Sequence, residues 1–443
     1  MPKVTGQDRP VARGLVVRSL NPQPSTLNAA VGMSKLTETV KPGVRNAAPL
    51  PRLDHCRVLV LFGGGRMFGS ELGNLEVFRQ MAKLGLTPRF ITSSKFGHRE
   101  IQPELDRLGF EWATAPFGYH WGKYLLGRYF YYLFFNLYGV VATSWRVWRE
   151  VRRWKPTHLY CMNWLFFIYA MPALLRCRLP LVYRAGDEFP THTSFHRRLA
   201  SYLFRRVEAM VCISHYILER CAGAGMSLSR MRVIHNYPPA RADKSSVPPP
   251  EVPQGAVVLT YLGQVSEHKG VIVLVEAFEQ LIKFRRNIVL WVAGEPGWGD
   301  RLLEVLRQRA EAAGLKERIR FFGYVSNVYP LLARSDVHVC PSLSAEALSN
   351  VVGEAKLCGK PSVVFPSGGL PELIEHGVDG YVCREKTVEG LVEGIEFFLN
   401  DPERRRLAGE AARRSLEEKF GEERFCRAWA EVFQATTPQN KAG

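Results

Sequence analysis

Short apolar runs alternate along the chain with stretches of helical spacing, and most of the runs end in glycine or a polar turn. The first, Arg57-Val58-Leu59-Val60-Leu61-Phe62, is continuous rather than alternating and stops at Gly63-Gly64-Gly65. A run without a polar face reads as a strand covered on both sides, the pattern of a parallel sheet flanked by helices. Helical spacing follows over residues 72–84, and further strand-like runs occur at 89–92, 158–162, 181–184, 209–213 and 232–235. The alternation predicts one α/β domain over residues 51–240. Residues 239–255, PARADKSSVPPPEVPQG, have no apolar period and are rich in proline and serine, so a linker is expected at 241–255.

Beyond the linker the alternation restarts. Runs at 256–263, 288–294, 318–323, 336–340, 361–365 and 380–383 predict a second doubly wound sheet within 256–420. Amphipathic stretches at 402–419 and 422–433 lie outside this alternation. The segment 421–443 is therefore expected to hold a last helix, free to cross back to the first domain, and a tail. Residues 1–50 mix Pro, Ser, Thr, Asn and Arg without an apolar core, which predicts a mobile tail rather than a signal peptide and a cytoplasmic location.

Residues 129–145 interrupt the simple picture. They carry no charge, are rich in Tyr, Phe and Leu, and are flanked by Arg128 on one side and by Arg146, Arg149 and Arg152 on the other. A spanning helix needs about 20 apolar residues, and this stretch is shorter and contains Asn136, Thr143 and Ser144. Two readings remain: a helix lying peripherally in the headgroup region of the inner face of a membrane, or a helix buried within or between domains.

Composition narrows the function classes. A chain of 443 residues that is 46% hydrophobic has material for two cores. Its nine cysteines include no C-x-x-C pair, which argues against a disulfide scaffold and against a zinc site. The 59 basic and 42 acidic residues leave a net charge of +17, attractive to nucleotides, nucleic acid or anionic lipid. The basic residues are dispersed and form no nucleic-acid motif, so no specific nucleic-acid partner is expected. A dinucleotide oxidoreductase would need a G-x-G-x-x-G turn, and the glycines at 63–69 lack that spacing.

The most informative stretch follows the run at 336–340. Glu346 and Glu354 stand eight positions apart, with a loop over 341–349 and a helix expected to begin near Asn350. Glu346 then lies on the loop and Glu354 within the helix, at the carboxyl edge of the sheet where open α/β folds bind ligands. A helix N-terminus offers N–H groups to a diphosphate, and carboxylates accept hydrogen bonds from sugar and ribose hydroxyls. A bare pair of glutamates is ordinary on a protein surface; the surrounding residues decide its meaning.

Those residues resemble the E-x7-E signature of the retaining glycosyltransferases of family four, whose second glutamate opens a run like E-A-M-A-x-G-x-P-V-V. Here the run is Glu354-Ala355-Lys356-Leu357-Cys358-Gly359-Lys360-Pro361-Ser362-Val363-Val364. Gly263-Gln264-Val265-Ser266-Glu267-His268-Lys269-Gly270 is similar to the family's G-R-L-x-x-x-K-G. Val292-Ala293-Gly294, Gly323-Tyr324-Val325, Ala333-Arg334-Ser335-Asp336 and Ser367-Gly368-Gly369-Leu370-Pro371-Glu372 follow in the family's order. The resemblance is strong over 256–385 and weaker over 55–240.

It implies the α/β GT-B fold, in which two Rossmann-like doubly wound domains face each other across a cleft. The first would bind the acceptor and the second the nucleotide-sugar. By residue, the resemblance gives Glu354 the ribose hydroxyls, Glu346 the donor sugar and Lys269 the diphosphate. Gly263, Gln264, Ser349, Asn350 and Val351 complete the expected substrate-binding set around them. The implied partners are a nucleoside-diphosphate sugar and a glycan or lipid-linked acceptor, in surface polysaccharide or glycolipid synthesis. No cofactor and no metal are expected, because the chain has no D-x-D triplet and Lys269 with a helix terminus can meet the leaving charge.

Several positions depart from the family or leave alternatives open. Gln264 stands where the family usually has arginine, and an amide donates without carrying charge. The alternative to a transferase is therefore a nucleotide-sugar-binding protein with weak or no transfer. In the first domain, Gly64 and Gly65 sit where a glycine-rich loop approaches substrate, although a tight turn explains them equally well. The run Tyr183-Arg184-Ala185-Gly186-Asp187-Glu188 has Ala185 or Gly186 where many relatives carry an acceptor-side histidine; Asp187 is a candidate for the cleft or equally an ordinary surface-loop carboxylate, and Arg184 is a candidate for an anionic group. His98, His120, His192, His215 and His235 lack metal-ligand spacing and read as structural.

Overall fold

The computed structural model describes residues 49–63, 67, 69–94, 100–117, 129–188, 194–238, 249–297 and 299–437. Gly64, Gly65, Arg128, His98, His120, His192, nearly all of the tail and half of the linker lie outside the described residues.

Seven strands form the first sheet: β1 (Arg57–Phe62), β2 (Thr87–Ser93), β3 (Glu111–Ala115), β4 (His158–Cys161), β5 (Leu181–Ala185), β6 (Ala209–Cys212) and β7 (Met231–Val233), in the order β3-β2-β1-β4-β5-β6-β7. Every pairing is parallel. The central strands are buried on both faces, as their unbroken apolar runs require. The crossovers carry α1 (Gly69–Lys83), α2 (Ile101–Arg107), α3 (Tyr129–Trp154), α4 (Trp164–Arg176), α5 (Ser194–Phe204) and α6 (His215–Gly223).

The second sheet is built from β8 (Val257–Leu262), β9 (Ile288–Ala293), β10 (Ile319–Gly323), β11 (Val337–Cys340), β12 (Ser362–Val364) and β13 (Gly380–Val382), ordered β10-β9-β8-β11-β12-β13 and again parallel. Its helices are α7 (Val271–Leu281), α8 (Leu302–Ala312), α9 (Tyr329–Arg334), α10 (Asn350–Leu357), α11 (Val388–Leu399), α12 (Pro402–Phe420) and α13 (Glu422–Thr436). In α13, Phe425, Cys426, Trp429 and Phe433 join the apolar core of the first sheet. The His158 ring nitrogen Nε2 lies 3.1 Å from the Phe433 carbonyl, which fixes the end of α13 to β4.

Strand order reverses between β1 and β4 in the first sheet and between β8 and β11 in the second. Diverging crossovers open a crevice at the carboxyl ends of such strands. The loops after β8 and β11 are the ones holding Gly263, Gln264, Lys269 and Glu346, so the second switch point gathers much of the family-like sequence.

Helix α3 answers the question left open by residues 129–145. One face packs on the domain: Asn136, Thr143, Ser144, Val147 and Glu150 are buried, the Tyr169 hydroxyl of α4 donates to Asn136, and Glu150 lies 3.1 Å from Arg89 Nε. The other face exposes Phe134, Leu137, Tyr138, Val141 and Trp145, which recur at helical spacing as a stripe. The helix is therefore neither fully buried nor free. Among the described residues no helix is long and apolar enough to cross a membrane.

Candidate active site

Lys269 and Glu346 come from different loops and meet because two glycines allow the backbones to close. Gly270 adopts φ +73°, and a Cβ there would lie 1.9 Å from the Pro341 carbonyl oxygen. The loop after β11 can therefore run beside residue 268, where the N–H groups of Leu343 and Ser344 donate to the His268 carbonyl at 2.9 and 3.1 Å. On the other side Gly368, at φ +60°, would place a Cβ 2.2 Å from the Glu346 carbonyl oxygen, and the Gly369 N–H donates to that oxygen at 2.7 Å. Held in this way, the Glu346 Oε1 accepts from Lys269 Nζ at 2.6 Å and from the Ser342 hydroxyl at 2.6 Å. Nothing in the local sequence marks Ser342 as a partner of this pair.

Helix α10 begins beside this pair. Ser349 is its N-cap, but the Ser349 side chain makes no capping hydrogen bond, so the first-turn N–H groups lack a side-chain acceptor from that residue. Asn350, the first helical residue, reaches across to the other domain: its Nδ2 donates to the Gly69 carbonyl at 2.7 Å, and its Oδ1 accepts from Asn236 at 2.7 Å. Val351 is half-buried against the core beside β8 and β9. Glu354 is fully buried within α10.

A second interdomain contact uses Glu372. Its two carboxylate oxygens accept from the N–H groups of His215 and Tyr216 at the start of α6, each at 2.8 Å, and one of them lies 3.0 Å from His235 Nε2. Burial would raise this carboxyl; the hydrogen bonds from His235 and from the α6 backbone outweigh it and hold it below the usual carboxylate range. His215 and His235 thus belong to the joint between domains. The residues on both sides of these contacts follow β1, β6, β7, β11 and β12, so the two sheets meet along their carboxyl edges.

Asp187 follows β5 and is reached by solvent, yet the surrounding protein removes enough water to push its carboxyl above the usual value. Arg184 and Lys269 pull in the opposite direction and Glu346 adds to the rise, which places Asp187 within electrostatic reach of the Lys269–Glu346 pair. Gly263, at φ +148°, turns the chain after β8, and the Gln264 carbonyl accepts from the Tyr261 hydroxyl at 2.7 Å. The Gln264 amide lies toward the turn at Gly297, 3.0 Å from the position a Cβ on that glycine would take. Among the described residues no group of three or more His, Cys, Asp or Glu side chains is placed to hold a metal ion.

Known proteins resemble the chain in sequence and in fold. The family model for glycosyl transferases group 1 matches residues 244–415, and that for the glycosyl transferase 4-like domain matches residues 68–237. The lipopolysaccharide core biosynthesis glycosyltransferase LpsD of Rhizobium meliloti is 27% identical over 298 residues, which cover 66% of this chain and 78% of that protein. The N-acetyl-alpha-D-glucosaminyl L-malate synthase of Bacillus anthracis is 30% identical over 186 residues, covering 42% of this chain and 47% of its own. Among solved structures, Anabaena HepE in complex with UDP-glucose superposes with a TM-score of 0.69 at 21% identity, over 86% of this chain and 100% of that one. A glycosyltransferase from Rickettsia africae gives 0.70 at 16% identity, over 87% and 99%.

Two parallel doubly wound domains meeting at the carboxyl edges of their sheets, with these neighbours, define a glycosyltransferase of the GT-B fold. Within that class the chain belongs to the family-four, group 1 glycosyltransferases.

Proposed function

We propose that the protein transfers a hexose-type sugar from a nucleoside diphosphate to an acceptor hydroxyl with retention of anomeric configuration and without a metal. The observation that carries this reading is the Lys269–Glu346 pair, closed at 2.6 Å beside the N-terminus of α10 at a strand-order switch point. HepE, which shares the fold, is described in complex with UDP-glucose, which supports a nucleotide-sugar as the donor class. LpsD, named for lipopolysaccharide core synthesis, supports a surface glycan or glycolipid as the acceptor class.

In this reading Glu354 takes the ribose hydroxyls and Glu346, oriented by Ser342, takes hydroxyls of the donor sugar. Gly263, Gln264, Ser349, Asn350 and Val351 line the diphosphate. As the bond from the anomeric carbon to the phosphate oxygen breaks, its electron pair stays on the diphosphate, where Lys269 and the α10 N–H groups stabilise it. The acceptor oxygen bonds to the anomeric carbon from the side the leaving group vacates, and its proton passes to the departing phosphate oxygen. Asp187 orients that acceptor hydroxyl. Because Glu354 is fully buried while Asn350 is bonded to the first domain, nucleotide entry requires the domains to part. NMR of the product should show the donor's anomeric configuration, and turnover should persist in EDTA. An inverted product, or activity lost to EDTA and restored by magnesium or manganese, would contradict the mechanism.

The same proposal places the enzyme on an anionic membrane surface. Residues 51–240 hold 26 Lys and Arg against 12 Asp and Glu, whereas residues 241–443 hold 26 against 28, so the excess charge lies outside the second domain. Arg149 stacks over Trp145 and Arg152 over Trp148, beside the exposed stripe of α3. Aromatic side chains flanked by arginine suit the headgroup region. In flotation assays the protein should rise with anionic liposomes at low salt, and Phe134→Ser with Trp145→Ser should abolish this. Equal flotation of the variant, or none for the wild type, would count against the surface.

A further inference from the structure

Arg184, near the end of β5, is 2% exposed, a rare condition for a guanidinium. Its Nη2 donates to Asn236 Oδ1 at 2.6 Å, and among the described residues no carboxylate lies within ion-pair distance of it. Burial holds its pKa below the usual value, with Asp187 among the groups that counter the shift. A buried guanidinium with no carboxylate at ion-pair distance is costly, and a bound anion would offset that cost.

The position of that anion is set by the neighbours. Asn236, which receives the Arg184 hydrogen bond, passes one at 2.7 Å to Asn350, the first residue of α10. A Cβ on Gly73 would lie 3.1 Å from Arg184 Nη2, 3.6 Å from Asn236 Nδ2 and 3.8 Å from Asn350 Nδ2, so the absence of a side chain there lets α1 pack closely on the place where the three groups converge. The guanidinium therefore stands two hydrogen bonds from the uncapped end of α10. In the second domain Gln264 is neutral and Lys269 is tied to Glu346 at 2.6 Å.

We infer that Arg184 supplies the leaving diphosphate with the positive charge that Gln264 does not carry, delivered from the first domain when the domains close. The inference rests on the proposed donor site. A planar guanidinium with five donors suits phosphate oxygens, and only one of those donors has a described partner. Because this charge reaches α10 through Asn236, leaving-group stabilisation depends on closure, and the open form is protected from wasteful donor hydrolysis.

The test uses the full chain and titrates uridine, guanosine and adenosine diphosphates and their monophosphates into wild type, Arg184→Gln, Arg184→Lys and the double variant Arg184→Gln/Gln264→Arg. Arg184→Gln should weaken binding of the preferred diphosphate about ten- to hundredfold, the range of a charge-assisted hydrogen bond. The monophosphate should change much less, and kcat should fall more than the donor KM rises. Arg184→Lys should lie between, and restoring charge at position 264 should recover most of the loss. A folded Arg184→Gln with wild-type diphosphate affinity would overturn the inference, as would equal losses on mono- and diphosphate or an effect confined to acceptor KM. If Arg184→Gln does not fold, Asn236→Ala, which leaves the guanidinium unguided, should weaken diphosphate binding, and an unaltered affinity overturns the idea. Failure of the wild type to bind any of the three diphosphates would instead remove the donor site itself.

Discussion

Replacing Lys269 with methionine is expected to lower kcat by about two to three orders of magnitude, the usual loss when one preorganised donor to a developing negative charge is removed. The ammonium is already in place, 2.6 Å from Glu346, and it is fixed by the close approach of the loops at Gly270 and Pro341. Fold stability should change little. Glu346 keeps the hydrogen bond from Ser342, and the side chains of the pair, 30% and 15% exposed, still reach solvent. Release of nucleoside diphosphate at saturating donor measures the first quantity and a melting curve the second. A variant with wild-type kcat would take Lys269 out of the reaction.

Lys356→Met is expected to produce the largest loss of stability, about 3–5 kcal/mol, because it strands a buried carboxylate. Lys356 Nζ lies 2.5 Å from Asp379 Oδ2 and 2.8 Å from Ser415 Oγ, and the two charged side chains are 1% and 2% exposed. Ser415 also donates to Asp379 at 2.6 Å, and the other Asp379 oxygen accepts from the Glu375 N–H at 2.8 Å. Desolvation lowers the Lys356 pKa even with Asp379 opposing the shift. The network joins α10 to α12 and to the turn before β13, so its loss loosens the helix that carries Glu354. The double variant Lys356→Met/Asp379→Asn should recover most of the loss, since an apolar side chain replaces a buried ion pair at little net cost. Chemical denaturation checks both. Equal stability of Lys356→Met and wild type would show that Asp379 is satisfied without the ammonium.

The strands were the most legible part of the sequence. Continuous apolar runs at 57–62, 158–162 and 288–294 became central strands, because a strand covered on both faces has no polar side to hide its signal. β3 carries no clear signal for the converse reason: Glu111-Trp112-Ala113-Thr114-Ala115 is an edge strand with an exposed start, and its weak alternation resembles a loop. The start of α10 at Asn350 was readable from the loop residues before it, and with it the placement of Glu346 outside and Glu354 inside the helix.

What could not be read was whatever depends on two distant segments meeting. Lys356 looks like a solvated lysine until Asp379 and Ser415 enclose it. Arg184, Asn236 and Asn350 are separated by 52 and 114 positions and become one relay only where the two sheets abut. Glu372 was visible as part of a glycine-rich motif, but nothing local pointed to α6 as its partner. Residues 129–145 remained ambiguous because a half-exposed amphipathic helix satisfies both earlier readings in part.

The central claim is that the second domain holds a nucleotide through α10, and ligand-induced thermal stabilisation of wild type and Glu354→Ala tests it most directly. At 100 times its dissociation constant, one of uridine, guanosine or adenosine diphosphate should stabilise the wild type by about 2.7 kcal/mol. The same concentration should stabilise Glu354→Ala, measured against its own unliganded midpoint, far less. A wild type that responds to none of the three, or a Glu354→Ala variant that responds as strongly as the wild type, would contradict the account.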